Sequence, residues 1–305
     1  MSNIYFIHVQ IHQLEALIAI VEVGSFTLAA ERLGVSQSAL SHAVAALERE
    51  LGVVVLERGR QGSRPTEVGE KLLPHAREVL ARLERIRAEA RGAAHLVTGR
   101  VRIGSIPSAT VDFLPRLLAA FGRQFPNVEL VLLEEPSQGT GRLLEWLGSH
   151  TIDLALLELP VTEFETVPLL HDELCAVVPA TSYLAGRVEV RVRELVGETF
   201  VLSRYSSEHL IEAAYRHEGL TPNVRFEVQD LGTLVSLIRE GLGISLVPRL
   251  ALPRAPEGVA LLSVSPRPVR QLGFVVRSLA EASPAVQALI KEAKSLTSGD
   301  LKHLS

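Results

Sequence analysis

The chain has 305 residues and a single cysteine, Cys175. One thiol closes no internal disulfide and builds no cysteine-rich metal site, and it suits a reducing compartment. Long apolar runs are missing too. Stretches such as Leu154–Leu157 have strand length, far short of the ~18 residues a membrane helix needs. The opening segment, MSNIYFIHVQIHQ, lacks a basic n-region and a small-residue cleavage site, which argues against a secretory signal. A cytoplasmic location with no membrane partner is the expectation. An excess of positive charge is absent as well: 31 basic against 35 acidic side chains give a net charge of −4. Any contact with nucleic acid must therefore rest on a local basic surface. Catalytic signatures are lacking. No Ser-His-Asp motif, metal-ligand spacing or Walker loop is seen. The string Gly241–Gly243 lacks a third glycine and precedes a strand rather than a helix, so it is no dinucleotide fingerprint. An enzyme, a metal and a cofactor are not expected.

What is present is a hydrophobic fraction of 47%, which excludes a disordered chain, and a length that predicts two or three domains. Periodicity then divides the sequence. Leu14, Leu17, Ile18 and Val21 fall at helical spacing. Gly24 and the N-cap Ser25 introduce a short helix from about Thr27 to Leu33, and Gly34-Val35 and the N-cap Ser36 introduce a third from about Gln37 to Leu51. Val53–Leu56 reads as a short strand and Arg58–Pro65 as a loop. Thr66 caps a long helix whose apolar positions, Leu72, Ala76, Val79, Leu83, Ile86, Ala90 and Ala93, alternate steps of four and three. That heptad seam fits pairing with a second copy of the chain, and it fits equally an amphipathic helix packed on its own domain. Pro74 lies early in this helix, where it is a candidate kink.

From Val101 onward strands and helices alternate, the pattern of βαβ units and a parallel sheet. Strands are predicted near 101–106, 128–134, 152–157, 173–178, 199–202, 224–228, 244–248 and 270–276. Helices are predicted near 113–125, 141–147, 207–218, 231–241 and 284–294. The tract from Pro248 to Pro268 carries five prolines and cannot be one regular element. Strands near 155–178 and 262–276 are candidates to carry the chain between two sub-domains, with a ligand cleft between them.

The segment Phe26–Ala45 has the logic of a helix-turn-helix. Ala30 is small where two helices cross, Gly34 turns the chain four positions later, Leu33 and Val35 are expected in the core, and Leu40 and Ala43 face back from the second helix. Ser36, Gln37, Ser38, Ser41 and His42 then form the exposed start of that helix, short polar groups able to meet base edges in a major groove. A plain helical hairpin with capping serines is the competing reading. Arg58, Arg60 and Arg64 cluster just downstream, as in a wing for phosphate or minor-groove contact, or simply in a solvated loop.

At these residues a family emerges. SFTLAAERLGVSQSALSHAVAALERELGVVVLER, followed by PTEVGEKLLPHAREVL, resembles the N-terminal domain of LysR-type transcriptional regulators, closely over about residues 11–95. VRIGSIPSATVDFLPRLLAAFGRQFPNVEL, TIDLALL and LVSLIREGLGISLVP resemble that family's effector-binding domain more loosely. The resemblance implies an α+β multidomain protein. A winged helix-turn-helix (1–65) would bind a promoter with an imperfect inverted repeat, and a linker helix (66–95) would pair two chains. A two-lobed, periplasmic-binding-protein-like α/β domain (96–305; lobes about 96–165 with 270–295, and 166–269) would sense a small molecule. A homodimer, a dimer of dimers and RNA polymerase are the implied partners. Ser36, Gln37, Ser38 and His42 would lie on the recognition helix and Arg58, Arg60 and Arg64 on the wing. Leu56 and Pro65 stand where the family commonly has phenylalanine and leucine, and His42 where a basic residue is frequent. Family members open two or three residues before the Leu14 equivalent, which makes Val9 a candidate start.

In the sensing half, Ser105, Pro107 and Ser108 lie where a strand passes into a helix, and hydroxyls with free N–H groups there suit a carboxylate or phosphate. The resemblance puts the effector pocket at this point. Ser137 or Thr140 would face it after the second strand, and Ser203 and Arg204 would close it from the other lobe. Each serine is as readily a helix cap, and Arg204 a surface arginine. Some relatives sense peroxide through a cysteine pair. Cys175 is alone and in a strand, which argues for a small core hydrophobe. A secreted solute-binding protein is the remaining rival, opposed by the helix-turn-helix.

Overall fold

The computed structural model describes residues 8–59, 62–92, 97–134, 139–203, 208–253 and 256–300. Two compact units divide the chain, Met1–Leu96 with Glu145–Thr151 and Val97–Leu144 with Ile152–Ser305.

In the first unit three helices, α1 (Ile11–Val23), α2 (Phe26–Leu33) and α3 (Gln37–Leu51), precede a hairpin of β1 (Leu56–Gly59) and β2 (Gly62–Pro65) and a long helix α4 (Glu67–Gly92). Hydroxyl caps start the helices as the sequence predicts. Ser25 Oγ accepts from Leu28 N at 3.5 Å, Ser36 Oγ from Ala39 N at 3.1 Å, and Thr66 Oγ1 from Gly69 N at 3.0 Å. Gly34 ends α2 in the left-handed region (φ 67), which glycine enters without a Cβ penalty. Leu17, Ile20, Ala30, Leu40, Val44, Leu47, Val55 and Leu73 make one buried cluster drawn from α1 to α4. Each large member contributes about 1.5–3 kcal/mol through burial. Gly69 is required where α4 enters, because a Cβ there would meet the Val55 carbonyl oxygen.

Two local expectations are corrected. Leu33 and Val35 are exposed, at 39% and 46%, because the left-handed turn at Gly34 sends its neighbours outward and Ala30 and Leu40 close the crossing instead. The first strand begins at Leu56 rather than Val53. The Glu48 carboxylate accepts from Val55 N (2.9 Å) and Leu56 N (3.3 Å), and Thr66 N donates to Val55 O (3.1 Å). Those bonds satisfy a backbone that would otherwise seek a strand partner.

From Val97 onward the chain runs β3 (Gly99–Ser105), α5 (Phe113–Gln124), β4 (Val128–Glu134), α6 (Gly139–Gly148), β5 (Leu154–Leu159), β6 (Glu165–Pro179), β7 (Glu189–Arg191), β8 (Thr199–Ser203), α7 (Glu208–His217), β9 (Asn223–Val228), α8 (Leu231–Arg239), β10 (Ser245–Pro248), β11 (Val259–Ser265), β12 (Val269–Val276) and α9 (Pro284–Asp300). One sheet has the order β4-β3-β5-β12-β6-β11-β7, with β10 also on β6, and β8 and β9 form a second. β6 serves both lobes. Its Glu165–Glu173 half pairs with β12, and its Leu174–Pro179 half with β10 and β11. Within the second half side chains alternate between two cores. Leu174, Ala176 and Val178 join Phe200, Tyr215 and Leu246, while Cys175 and Val177 join Val201, Leu234 and Ile238.

The sheet is mixed, not parallel throughout. β3, β4 and β5 run parallel, but β12 is antiparallel to both β5 and β6. β6 is more than twice the expected length because Pro168 and the polar run His171–Glu173 hide its first half from an apolar pattern. The proline-rich tract does break: β11 lies between Pro256 and Pro266. No helix of the described residues is long and apolar enough to cross a membrane.

Candidate functional site

The start of α3 is an exposed polar ridge. Gln37, Ser38 and His42 are exposed and Ser41 is half-buried. Positions i, i+1, i+4 and i+5 share one helix face. Ser36 is partly committed, since its hydroxyl caps the helix and lies 3.0 Å from Ser38 Oγ. Ala45 and Arg49 carry the same exposed stripe onward at four-residue steps. Arg49 is a candidate the sequence reading passed over, although its i+4 spacing from Ala45 was readable. In the hairpin, Arg64 stands opposite Glu57, and Arg58 opposite Ser63. Ser63 N donates to Gly24 O at 2.8 Å, which seats the wing on the turn between α1 and α2. Arg60 lies outside the described residues.

Along α4 the predicted seam splits in two. Ala76 is buried in the unit's own core, with Leu72 packed beside it and with Leu73 and Leu80 from off the seam. Val79 (47%), Ile86 (63%) and Ala90 are exposed and Leu83 is half-exposed. An apolar row thus continues from the core out along a helix that Lys71–Glu67, Arg82–Glu78 and Arg87–Glu84 pairs otherwise dress for water. Ala93 lies outside the described residues.

In the second unit β3 ends at Ser105 and passes into a short 3-10 turn, Pro107–Ala109. Ser105 is fully buried and its hydroxyl donates to Ile106 O at 3.1 Å. Ser108 is buried and accepts from Arg270 Nη2 at 2.8 Å, across 162 residues of sequence. Thr140 is exposed in the first turn of α6, and Ser203 is buried at the end of β8. Ser137 and Arg204 lie outside the described residues. The strongest polar feature was not foreseen. Arg270 on β12 donates Nε (3.0 Å) and Nη2 (2.7 Å) to Asp172 Oδ2 on β6, with both side chains at 0% exposure. Asp172 Oδ1 accepts from Leu250 N at 3.1 Å. Burial pushes the Asp172 carboxyl above its ordinary range, against the downward pull of the Arg270 guanidinium and the Leu250 N–H. Arg270 beside the apolar run Leu272–Val276 was the available signal, whereas Asp172 stands within the polar run His171–Glu173 and gave none. Their pairing, across 98 residues, was not legible.

Cys175 is 4% exposed, and its thiol points to Val247 O at 3.5 Å. Burial pushes its pKa up to about 12. No group of three or more His, Cys, Asp or Glu suited to a metal occurs among the described residues.

Two family models match the chain. Residues 11–70 match a bacterial regulatory helix-turn-helix protein of the lysR family, and residues 94–297 match the LysR substrate binding domain. A probable HTH-type transcriptional regulator, LrrA of Synechococcus elongatus, is 36% identical over 285 residues, 92% of this chain and 95% of its own length. A full-length OxyR variant from Pseudomonas aeruginosa superposes with a TM-score of 0.73 at 24% identity, covering 94% of this chain and 98% of that one. Full-length CbnR complexed with its target DNA gives 0.66 at 23%, over 94% and 99%. At those identities the structures speak for the fold, a helix-turn-helix followed by a two-lobed α/β domain.

Proposed function

The chain belongs to the LysR family of bacterial transcriptional regulators, and from that premise we propose how its parts divide the work. It is a DNA-binding regulator with an effector-binding α/β unit, and not an enzyme. In our reading, residues 1–65 read DNA, 66–95 pair two copies, and 96–305 sense the effector. Gln37, Ser38, Ser41 and His42 meet base edges from α3, with Ser36 holding the helix start. Arg58, Arg60 and Arg64 grip the backbone or minor groove from the wing. The observation that carries this is the exposed polar ridge at the start of α3, buttressed from behind by Leu40, Val44 and Leu47. CbnR, of the same fold, has been solved on its target DNA, which supports a DNA-facing role for the helix-turn-helix.

Pairing along Val79, Leu83, Ile86 and Ala90 would give a homodimer, and a dimer of dimers by further association, matched to an imperfect inverted repeat. Such a protein works in the cytoplasm beside the chromosome, with RNA polymerase as a further partner. The effector sits between the lobes near Ser105, Pro107, Ser108, Ser137, Thr140, Ser203 and Arg204. It biases DNA binding by its differential affinity for two lobe arrangements. A mobility-shift assay with the DNA upstream of the chain's own gene tests the reading. Wild type shifts it, and a Gln37→Ala, Arg58→Ala double variant of unchanged circular dichroism does not. A wild type that shifts no genomic fragment overturns the proposal.

A further inference from the structure

One nitrogen of the Arg270 guanidinium is out of place. Nε and Nη2 are bonded to Asp172 and Ser108, but Nη1 is buried and has no hydrogen-bond partner among the described residues. A buried donor left unpaired keeps its desolvation cost without a bond to offset it. Among the described residues Glu158 Oε2 on β5 faces it at 3.8 Å, an ion-pair distance too long for a hydrogen bond. Glu158 is held back because its other oxygen, Oε1, lies 2.9 Å from His209 Nε2. His209 belongs to α7 of the second lobe and Glu158 to β5 of the first. The carboxylate therefore sits between a buried cation at the strands that join the lobes and an imidazole across the cleft.

We propose that Arg270 Nη1 is the docking point for a carboxylate of the effector, and that Glu158, clasped to His209, stands in front of that place without bonding it until the effector displaces it. The inference rests on the effector-binding reading above and adds the chemical class and the residue that reads it. The guanidinium edge not taken by Asp172 offers N–H donors in a fixed plane, which suits a carboxylate oxygen. Exchanging one carboxylate for another also preserves the charge balance around Arg270. A neutral ligand would have to expel a charge without replacing it. Because the displaced carboxylate leaves His209, binding removes a contact between the lobes. Ligand and lobe arrangement are thereby coupled through one side chain.

A generic probe tests this without knowledge of the natural effector. In the full chain, Glu158→Ala vacates the place beside Nη1, and sodium acetate at neutral pH should fill it. Thermal unfolding is followed against acetate, with acetamide and sodium chloride as controls. The expected result is a saturable acetate stabilisation of Glu158→Ala, at a half-saturating concentration at least about tenfold below that of wild type. The controls should give none. A crystal of the variant soaked in acetate should show the anion on Arg270 Nη1. Equal responses of wild type and variant, a response to acetamide equal to that to acetate, or acetate bound elsewhere in the crystal would each overturn the proposal. DNA binding by the same two proteins is measured in parallel. If they bind DNA and the variant ignores acetate, this inference fails alone. If neither binds any DNA, the regulatory reading fails whatever acetate does.

Discussion

At Cys175 and Tyr215 the same burial has opposite meanings. The Cys175 thiol is compatible with its apolar surroundings, and its pKa near 12 leaves about one thiol in ten thousand ionised at pH 8. The thiolate is the form that reacts with peroxide or an alkylating agent. The folded chain should therefore resist iodoacetamide at pH 8 and label only on unfolding, as read by mass spectrometry with and without urea. Labelling of the native chain at the rate of free cysteine would contradict this. The sequence already argued for an inert thiol from its lone occurrence, and the structure supplies the cause. Tyr215 is 1% exposed, edge-on to Phe200 at 5.8 Å, with its hydroxyl unpartnered among the described residues. Tyr215→Phe removes a buried polar atom that bonds to nothing, so it should be neutral or stabilise the chain by up to about 1 kcal/mol in urea unfolding. A loss of about 1 kcal/mol or more would mean the hydroxyl has a partner. Nothing in the sequence marks this tyrosine apart from the other three, because burial without a partner is a property of packing.

Among the elements, those whose signals are local were the legible ones. Ser25, Ser36 and Thr66 cap where predicted, and α3 has the predicted bounds, because a cap and its helix lie within four residues of each other. Elements defined by distant partners were not legible. β7 is three residues long and exists because it pairs with β11, and the first half of β6 is a strand because β12 lies beside it. The same division holds in the sites. The polar ridge on α3 follows from helical spacing, whereas Arg270, Asp172, Glu158 and His209 meet only after the sheet has formed. For α4 the sequence left two readings open, and the geometry gives only the first part of the seam to the unit's own core. Leu72 and Ala76 pack inward while Val79, Leu83, Ile86 and Ala90 remain open. Covering Leu83 and Ile86 is worth about 1.5–3 kcal/mol each. Leu83→Glu with Ile86→Glu should therefore halve the mass seen by sedimentation velocity and leave the helical circular dichroism unchanged. A variant that sediments as wild type would place the self-association elsewhere.

Over the whole molecule, charge is divided as function requires. Residues 1–95 carry 11 basic and 11 acidic side chains, and residues 96–305 carry 20 and 24. The net charge of −4 thus lies within 96–305 while 1–95 is neutral, so a DNA contact by the helix-turn-helix has to rest on locally placed arginines rather than on an excess. In the proposed dimer two DNA-reading units act together, so the affinity is expected to depend on the pair and to fall as salt rises. A footprint of the wild-type chain on its upstream DNA tests this account most directly. The account predicts two protected segments one helical turn or a multiple of it apart, symmetric about a centre, each lost in the Gln37→Ala, Arg58→Ala variant. A single protected segment, or protection that survives those two substitutions, would contradict it.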